Sequence, residues 1–237
     1  MELFEYTTFT FYLVVALSIF GLLFIIFRSK EKHGFSNGKI TIIGIILFAW
    51  LGFQAYLANN DFYLTATDEM PPRLLLAIVP PLLLIIYLAI FQKEFLASLS
   101  GKWMTFFHVI RVPVELVLYG LFLEEQVPEV MTFSGRNFDI LIGLSAPVMS
   151  MLFYSNTAIH KPWMIVWNFL GIALLVNVVS HGILSTPYPF QIFGLDQPNI
   201  AVLQYPVIWL PCFIVPCVFF FHLACLQQLM KKDHPGY

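Results

Sequence analysis

Apolar residues along this chain form long, unbroken runs that are separated by short polar segments. A helix needs about 17–25 mostly apolar residues to cross the hydrocarbon core of a bilayer, and seven runs have about that length. The strands of a membrane barrel would instead give short segments of alternating polarity. The pattern predicts an all-α integral membrane protein, a single transmembrane helical domain over residues 1–237 with helices near 9–27, 40–58, 74–91, 103–123, 138–154, 163–184 and 201–226.

Lysine and arginine are distributed unequally between the alternate loops of these seven predicted helices. One set of loops carries nine of them: Arg28, Lys30, Lys32, Lys39, Lys93, Lys102, Lys161, Lys231 and Lys232. The other set carries Arg73 and Arg136. Because loops rich in lysine and arginine remain on the cytoplasmic side, we expect a multi-pass protein of the cytoplasmic (plasma) membrane. Its N-terminus is predicted outside the cytoplasm and its C-terminus inside.

Composition agrees with a chain surrounded by lipid. Hydrophobic residues make up 59% and charged residues 11% of the chain, whereas soluble domains have about half and about a quarter. The net charge of −2 provides no basic surface for a nucleic acid. The three cysteines, Cys212, Cys217 and Cys225, follow no metal or haem motif, and we interpret them as packing residues. The first residues are acidic, so the first apolar run is predicted to be a retained helix and not a signal peptide.

Prolines occur inside several of the predicted helices. Each removes one backbone hydrogen bond and leaves a carbonyl that another group must satisfy. Kinks are therefore expected at Pro80, Pro81, Pro113, Pro147, Pro206, Pro211 and Pro216. Such kinks occur both in purely structural helices and in helices that line a binding cavity.

The fourth predicted helix carries His108, Arg111 and Glu115 on one face, and Tyr119 extends the same stripe. A charged residue at membrane depth costs ~2.5–3.5 kcal/mol on insertion scales, so Arg111 and Glu115 must face protein or water. One interpretation is an Arg111–Glu115 pair that only holds the bundle together. The other is a ligand or ion site, with Glu115 as a titratable carboxylate and Arg111 as an anion clamp or counter-charge.

His108 and two residues on other helices lie at similar depth in the cytoplasmic half of the predicted bundle. His108, Asn168 and His222 are each about six residues inside a helix end, ~9 Å at the helical rise. They meet if their helices are neighbours. Two facing histidines are weak candidates for holding haem or a metal ion, and the alternative is that each bonds a neighbouring group.

A second polar cluster is predicted in the outer half. Asn177 and His181 are one turn apart on the sixth predicted helix, and Gln54 has similar depth on the second. Asp139 begins an apolar run after an acidic connection, with Arg136 one turn before it. Acids with one histidine suit a cation at an outer vestibule, and the alternative is a solvated acidic loop.

Several functions are excluded by missing residues. The last predicted helix has no lysine for a retinal Schiff base, and the chain has no HExxH, GxSxG or Walker motif. No cofactor is indicated. The leading hypothesis is a transporter or channel-like protein for a small polar solute or ion. The alternatives are an intramembrane enzyme or metal- or haem-binding protein acting on a lipid-soluble substrate, and a membrane scaffold or assembly factor. Besides the bilayer, the expected partner is a solute, an ion or a lipid-soluble ligand.

Overall fold

The computed structural model describes residues 2–33, 37–65, 67–154 and 160–231, and this part of the chain contains helices and no strand. Lys232, one of the basic residues used for orientation, lies outside the described residues. The α-helices are α1 (Glu2–His33), α2 (Asn37–Asn59), α3 (Leu75–Phe91), α4 (Lys93–Ser98), α5 (Gly101–Phe107), α6 (Arg111–Leu123), α7 (Ile140–Tyr154), α8 (Lys161–Leu184) and α9 (Val215–Met230).

Five helical segments of the described residues are long and apolar enough to cross a membrane. They are Glu5–Ser29, Gly38–Asn59, Gly101–Leu123, Lys161–Leu184 and Leu210–Met230. Two further apolar helices, Leu75–Phe91 and Ile140–Tyr154, are shorter. Each of the seven predicted runs thus contains a helix. The short helix α4, which joins α3 to α5, was not predicted.

The fourth predicted helix is helical throughout, but its α-helical hydrogen-bond pattern is interrupted. A single 3-10 turn, His108–Ile110, separates α5 from α6. Pro113 lies in the first turn of α6 and has no N–H to donate to the carbonyl of Val109. This missing bond explains why a 3-10 turn, and not a regular α-helical turn, precedes Arg111.

The predicted start of the seventh helix is wrong. Residues Ala201–Leu203 form only a short 3-10 turn, and regular helix begins with a π turn at Leu210–Ile214 that continues into α9. Pro206 and Pro211 cannot donate backbone hydrogen bonds, so a regular α-helix cannot form through this stretch. The segment before the π turn is instead folded against the bundle, with Val202 and Leu203 buried.

Helix α9 lies at the centre of the packing and contacts α3, α4, α5 and α8. Helix α1 packs on α6, and α5 packs on α7. Many large apolar side chains point away from this core on the peripheral helices, for example Phe20, Ile45 and Leu144. Exposed apolar surface of this extent suits contact with lipid, not with water.

Candidate functional site

A buried ion pair joins the start of α6 to the start of α7. Arg111 Nη1 donates to Asp139 Oδ1 at 2.7 Å, and the two residues are 2% and 5% exposed. The predicted Arg111–Glu115 pairing is wrong, because no ion pair joins these two in the described residues and Arg111 pairs with Asp139. Arg136, which the sequence placed one turn before Asp139, is exposed and is not its partner.

The second amino group of Arg111 reaches two acceptors on other helices. Its Nη2 donates to the Gly171 carbonyl and faces His222 Nε2, both at 3.2 Å. Asn168 Nδ2 donates to the Met164 carbonyl, so its Oδ1 is the acceptor that faces His222 Nδ1 at 2.8 Å. The fitting tautomer of His222 is therefore neutral, with its proton on Nδ1 and a lone pair on Nε2 for Arg111.

Two glycines make room for this arrangement. A Cβ added to Gly171 would overlap the imidazole ring of His222. A Cβ added to Gly143 would lie 2.8 Å from Val112 Cγ2 and 3.2 Å from Arg111 Cβ. Since Gly171 also supplies a carbonyl to Arg111, its missing side chain permits the close approach that brings α8 and α9 together at the guanidinium.

The structure brings His108, Asn168 and His222 together in one buried cluster, a meeting that the sequence had left conditional on their helices being neighbours. The rings of His108 and His222 stack with centroids 3.8 Å apart and planes inclined by 19°, and Trp167 lies edge-on to His108 at 5.5 Å. Stacked rings direct their nitrogen lone pairs along parallel planes and not towards one common metal position. Among the described residues, no group of three or more His, Cys, Asp or Glu side chains is placed to hold a metal ion.

Glu115 lies one turn beyond Arg111 on α6 and is 1% exposed. Its Oε1 accepts a hydrogen bond from Asn137 Nδ2 at 2.7 Å, and the same nitrogen donates to the Met131 carbonyl at 2.9 Å. Asn137 Oδ1 accepts from the backbone N–H of Asp139 at 3.0 Å. Asn137 thus joins the Glu115 carboxylate to the backbone of Asp139, a role that the sequence analysis missed. The signal in the sequence for this role was the position of Asn137, two residues before Asp139 at the start of an apolar run.

Glu115 Oε2 is buried and has no hydrogen-bond partner among the residues that the structure describes. Buried polar atoms are nearly always hydrogen-bonded, and an unpaired one costs roughly 1–3 kcal/mol. Glu115 is one of the residues that line a cavity of about 90 Å³. An unpaired buried acceptor on a residue of a cavity wall is the arrangement expected where a ligand completes the hydrogen bonds.

The cavity has a polar end and an otherwise apolar wall. Arg111, Glu115 and Asp139 line the polar end, and side chains of α3, α6, α8 and α9 such as Ile78 and Val218 form most of the remaining surface. The π turn Leu210–Ile214 supplies part of the same wall. The cavity therefore lies in the half of the bundle nearest to the segments 124–139 and 185–209.

Thr186 and Asn199, two further polar residues of the wall, were also missed by the sequence analysis. The Thr186 hydroxyl and Asn199 Nδ2 both donate to the Gly182 carbonyl, at 2.9 and 3.0 Å. This leaves Asn199 Oδ1 as a second buried acceptor without a partner in the described part of the chain. Both residues follow the end of α8 in irregular segments, where no periodic pattern indicated that they face inward.

The charges of the polar end do not balance. Arg111 and Asp139 neutralise each other, so an ionised Glu115 adds one uncompensated negative charge. Both Nη atoms of Arg111 are occupied, and within the described residues only its Nε lacks a partner. Arg111 is therefore poorly placed as an anion clamp. The arrangement suits a proton, a cation or a hydrogen-bond donor at Glu115.

The predicted outer cluster does not form one site. Asn177 Nδ2 donates to the backbone carbonyl of Arg136, and His181 Nδ1 faces the carbonyl of Asn177, both at 2.9 Å. Gln54 accepts a hydrogen bond from the hydroxyl of Tyr63. None of the side chains of Gln54, Asn177 and His181 lines the cavity. The bonds of Asn177 and His181 are those of structural polar residues, while the buried Gln54 Nε2 has no partner in the described residues.

Residues 72–230 match the model of a domain of unknown function, DUF8737, and the chain belongs to this family. The matched region contains every residue of the polar end and the wall of the cavity. No curated protein and no solved structure matches the chain.

Proposed function

We propose that this member of the DUF8737 family is a membrane transport protein that exchanges a small solute against a proton at Glu115. In this proposal the chain crosses the cytoplasmic membrane seven times, with the shorter helices α3 and α7 completing the bundle and the N-terminus outside. The observation that carries the proposal is the buried carboxylate of Glu115, a residue of the cavity wall, which has one oxygen without a partner in the described residues.

Electrostatics supports an exchange in which proton and solute exclude each other. The neighbouring Arg111–Asp139 pair is already neutral and cannot compensate a second carboxylate. A lone buried charge is expensive, so the empty site favours a proton on Glu115. A bound cation supplies the compensation instead and releases the proton. Binding of one therefore excludes the other, which is the coupling that an exchanger needs.

The helices around the cavity support alternating access to it. Helix α3 contains Pro80 and Pro81, and the wall includes Pro211 in the π turn. Interrupted helices at membrane depth are typical of transporter binding sites, where irregular backbone lines a cavity. With the predicted orientation, the cavity lies in the outer half of the bundle. Opening towards the cytoplasm then requires movement past the stacked rings of His108 and His222, which lie on its inner side.

Proton movement in reconstituted vesicles tests this proposal. Vesicles containing an entrapped pH indicator are exposed to gradients of sodium, potassium, guanidinium and propylammonium chlorides in turn. We expect at least one gradient to drive proton movement through the wild-type protein, none through Glu115→Gln, and wild-type behaviour from Glu129→Gln. Glu129 is an exposed acid in the same half of the chain and serves as the matched control. Equal proton movement in wild type and Glu115→Gln for every salt would contradict the proposal.

A further inference from the structure

The free hydrogen-bonding groups of the cavity wall are mainly acceptors. Glu115 Oε2 and Asn199 Oδ1 are both buried, both belong to residues that line the cavity, and both lack partners in the described chain. The hydroxyl of Thr186 already donates to a backbone carbonyl. A molecule that satisfies this wall must therefore bring its own N–H or O–H donors. Resting on the proposed function, we infer that the solute is a short-chain primary ammonium ion.

The charge of the site selects an ammonium over a neutral donor. Glu115 has one carboxylate oxygen bonded to Asn137 and one free, and Arg111 is already neutralised by Asp139. An alcohol would satisfy one lone pair of Glu115 but would leave its buried charge uncompensated. An ammonium group supplies three N–H donors together with the missing positive charge. In this inference the head lies at Glu115 and a second N–H is directed towards Asn199, the other wall acceptor.

The size and polarity of the cavity limit the rest of the molecule. An engineered apolar cavity of about 150 Å³ holds benzene, so the 90 Å³ found here has room for about three or four non-hydrogen atoms. The wall beyond Glu115 and Asn199 is mostly aliphatic, including Val114, Leu118 and Leu175. Waters alone would fit it poorly, because each needs two to four polar partners. An aliphatic tail of two or three carbons fits both limits.

Other cations fit these walls less well. A quaternary ammonium has no N–H to donate to Glu115 or Asn199. Calcium takes about six to eight oxygen ligands, and no group of three or more His, Cys, Asp or Glu suited to a metal occurs in the described residues. The chemistry of the wall therefore distinguishes a primary ammonium from calcium and from quaternary amines.

Proton competition gives this ligand a characteristic pH dependence. Besides Glu115, the ionisable side chains of the wall are Arg111 and Asp139, and behind Arg111 lie His222 and His108. The lining residues that α3, α8 and α9 contribute are not ionisable. A primary ammonium, like lysine with its pKa of about 10.4, keeps its charge below roughly pH 8. Lowering the pH protonates Glu115, so ammonium affinity falls.

Equilibrium binding of propylammonium to the purified full-length protein in detergent tests the inference without requiring transport. The stability gain on ligand addition reports binding, because a ligand of the folded state alone stabilises it by mass action. We expect saturable stabilisation by propylammonium chloride that weakens as the pH is lowered. Propan-1-ol, tetramethylammonium chloride and sodium chloride at equal concentration should give little. Stabilisation by propan-1-ol equal to that by propylammonium, or none by propylammonium, would overturn the inference.

Variants locate the bound ion. A charge-assisted hydrogen bond lost in Glu115→Gln should weaken propylammonium affinity roughly ten- to a hundred-fold and remove its pH dependence. Asn199→Ala should weaken it about two- to ten-fold, as expected for a neutral bond. Glu129→Gln should bind like wild type. Unchanged affinity in Glu115→Gln, with the variant folded, would overturn the assigned ligand position.

The binding experiment tests the ligand class and the vesicle experiment tests transport, so a negative result in one does not decide the other. Propylammonium binding that depends on Glu115, without proton movement in vesicles, would contradict the transport proposal and leave the ligand class standing. Glu115-dependent proton movement driven by sodium or potassium alone, with no propylammonium binding, would overturn the ligand class and leave transport standing.

Discussion

Asp139 and Glu115 are two buried acids that line the same cavity and both contact Asn137, yet the surroundings of their carboxylates differ. Asp139 receives a guanidinium N–H at 2.7 Å, and its own backbone N–H is bonded to Asn137 Oδ1. Glu115 receives one amide N–H and has a second oxygen without a partner in the described residues. The comparison separates two roles of buried charge. A compensated carboxylate holds helices together, while a half-partnered one is available for a ligand or a proton.

Removing the compensated carboxylate should have the largest effect on stability. Asp139→Asn leaves Arg111 as a buried charge without a counter-ion, and breaking such a pair costs about 3–5 kcal/mol. Unfolding of the purified variant in detergent measures the loss. Replacing both partners, as in Arg111→Met with Asp139→Leu, should cost less than Asp139→Asn alone because no lone charge remains. A loss below about 1 kcal/mol for Asp139→Asn would show that the pair does not stabilise the fold.

Asn137 links the Glu115 carboxylate to the backbone N–H of Asp139, so its removal should affect both regions. Asn137→Ala leaves Glu115 Oε1, the Met131 carbonyl and the Asp139 N–H without their present partner. We expect a loss of roughly 2–3 kcal/mol, measured by the same unfolding experiment, together with weaker propylammonium binding. Wild-type affinity in this variant would mean that Glu115 keeps its position without Asn137.

Crowding the residues that pack around Arg111 should destabilise the protein without changing the cavity wall. In Gly171→Ala the new methyl overlaps the His222 ring, and overpacking of this kind costs roughly 1–3 kcal/mol. Gly44→Ala is the control, since a Cβ there meets nothing within 4 Å. Thermal unfolding of both variants should show a loss only for Gly171→Ala. Equal stability of the two would contradict the packing of His222 against α8.

The smallest stability change should come from Glu115→Gln, the variant in which we expect proton movement to be lost. The amide keeps an oxygen that can accept from Asn137 Nδ2 and removes a buried carboxylate, so we expect a change within about 1 kcal/mol, in either direction. Unfolding and propylammonium binding are measured on the same preparation. Destabilisation comparable to that of Asp139→Asn would place Glu115 with the structural carboxylates and would remove the distinction between the two regions.

Much of the helical arrangement was predictable because long apolar runs are a strong local signal. Polar residues inside such runs were equally visible, and His108, Asn168 and His222 do meet. The partner of Arg111 was not visible, since Asp139 is 28 positions away and is brought near by the packing of α7 on α6. Periodicity within one helix favoured Glu115 instead, and that prediction was wrong.

The irregular segments were the least predictable part of the site. Asn137, Thr186 and Asn199 lie outside the regular helices, where hydrophobic periodicity gives no information about the direction of a side chain. Pro206 and Pro211 indicated a disturbance in the last helix, but not that regular helix begins only with a π turn at Leu210. The unpartnered oxygens of Glu115 and Asn199 depend on contacts that only the folded chain defines.

Infrared difference spectroscopy of propylammonium binding tests the exchange at Glu115 most directly. Spectra of the purified protein near neutral pH, with and without propylammonium, report whether a carboxylic acid becomes a carboxylate. We predict that binding removes a carboxylic acid band and adds a carboxylate band in wild type and in Glu129→Gln, and that Glu115→Gln lacks both changes. Propylammonium binding to wild type without loss of a carboxylic acid band, or the same bands in Glu115→Gln, would contradict the account.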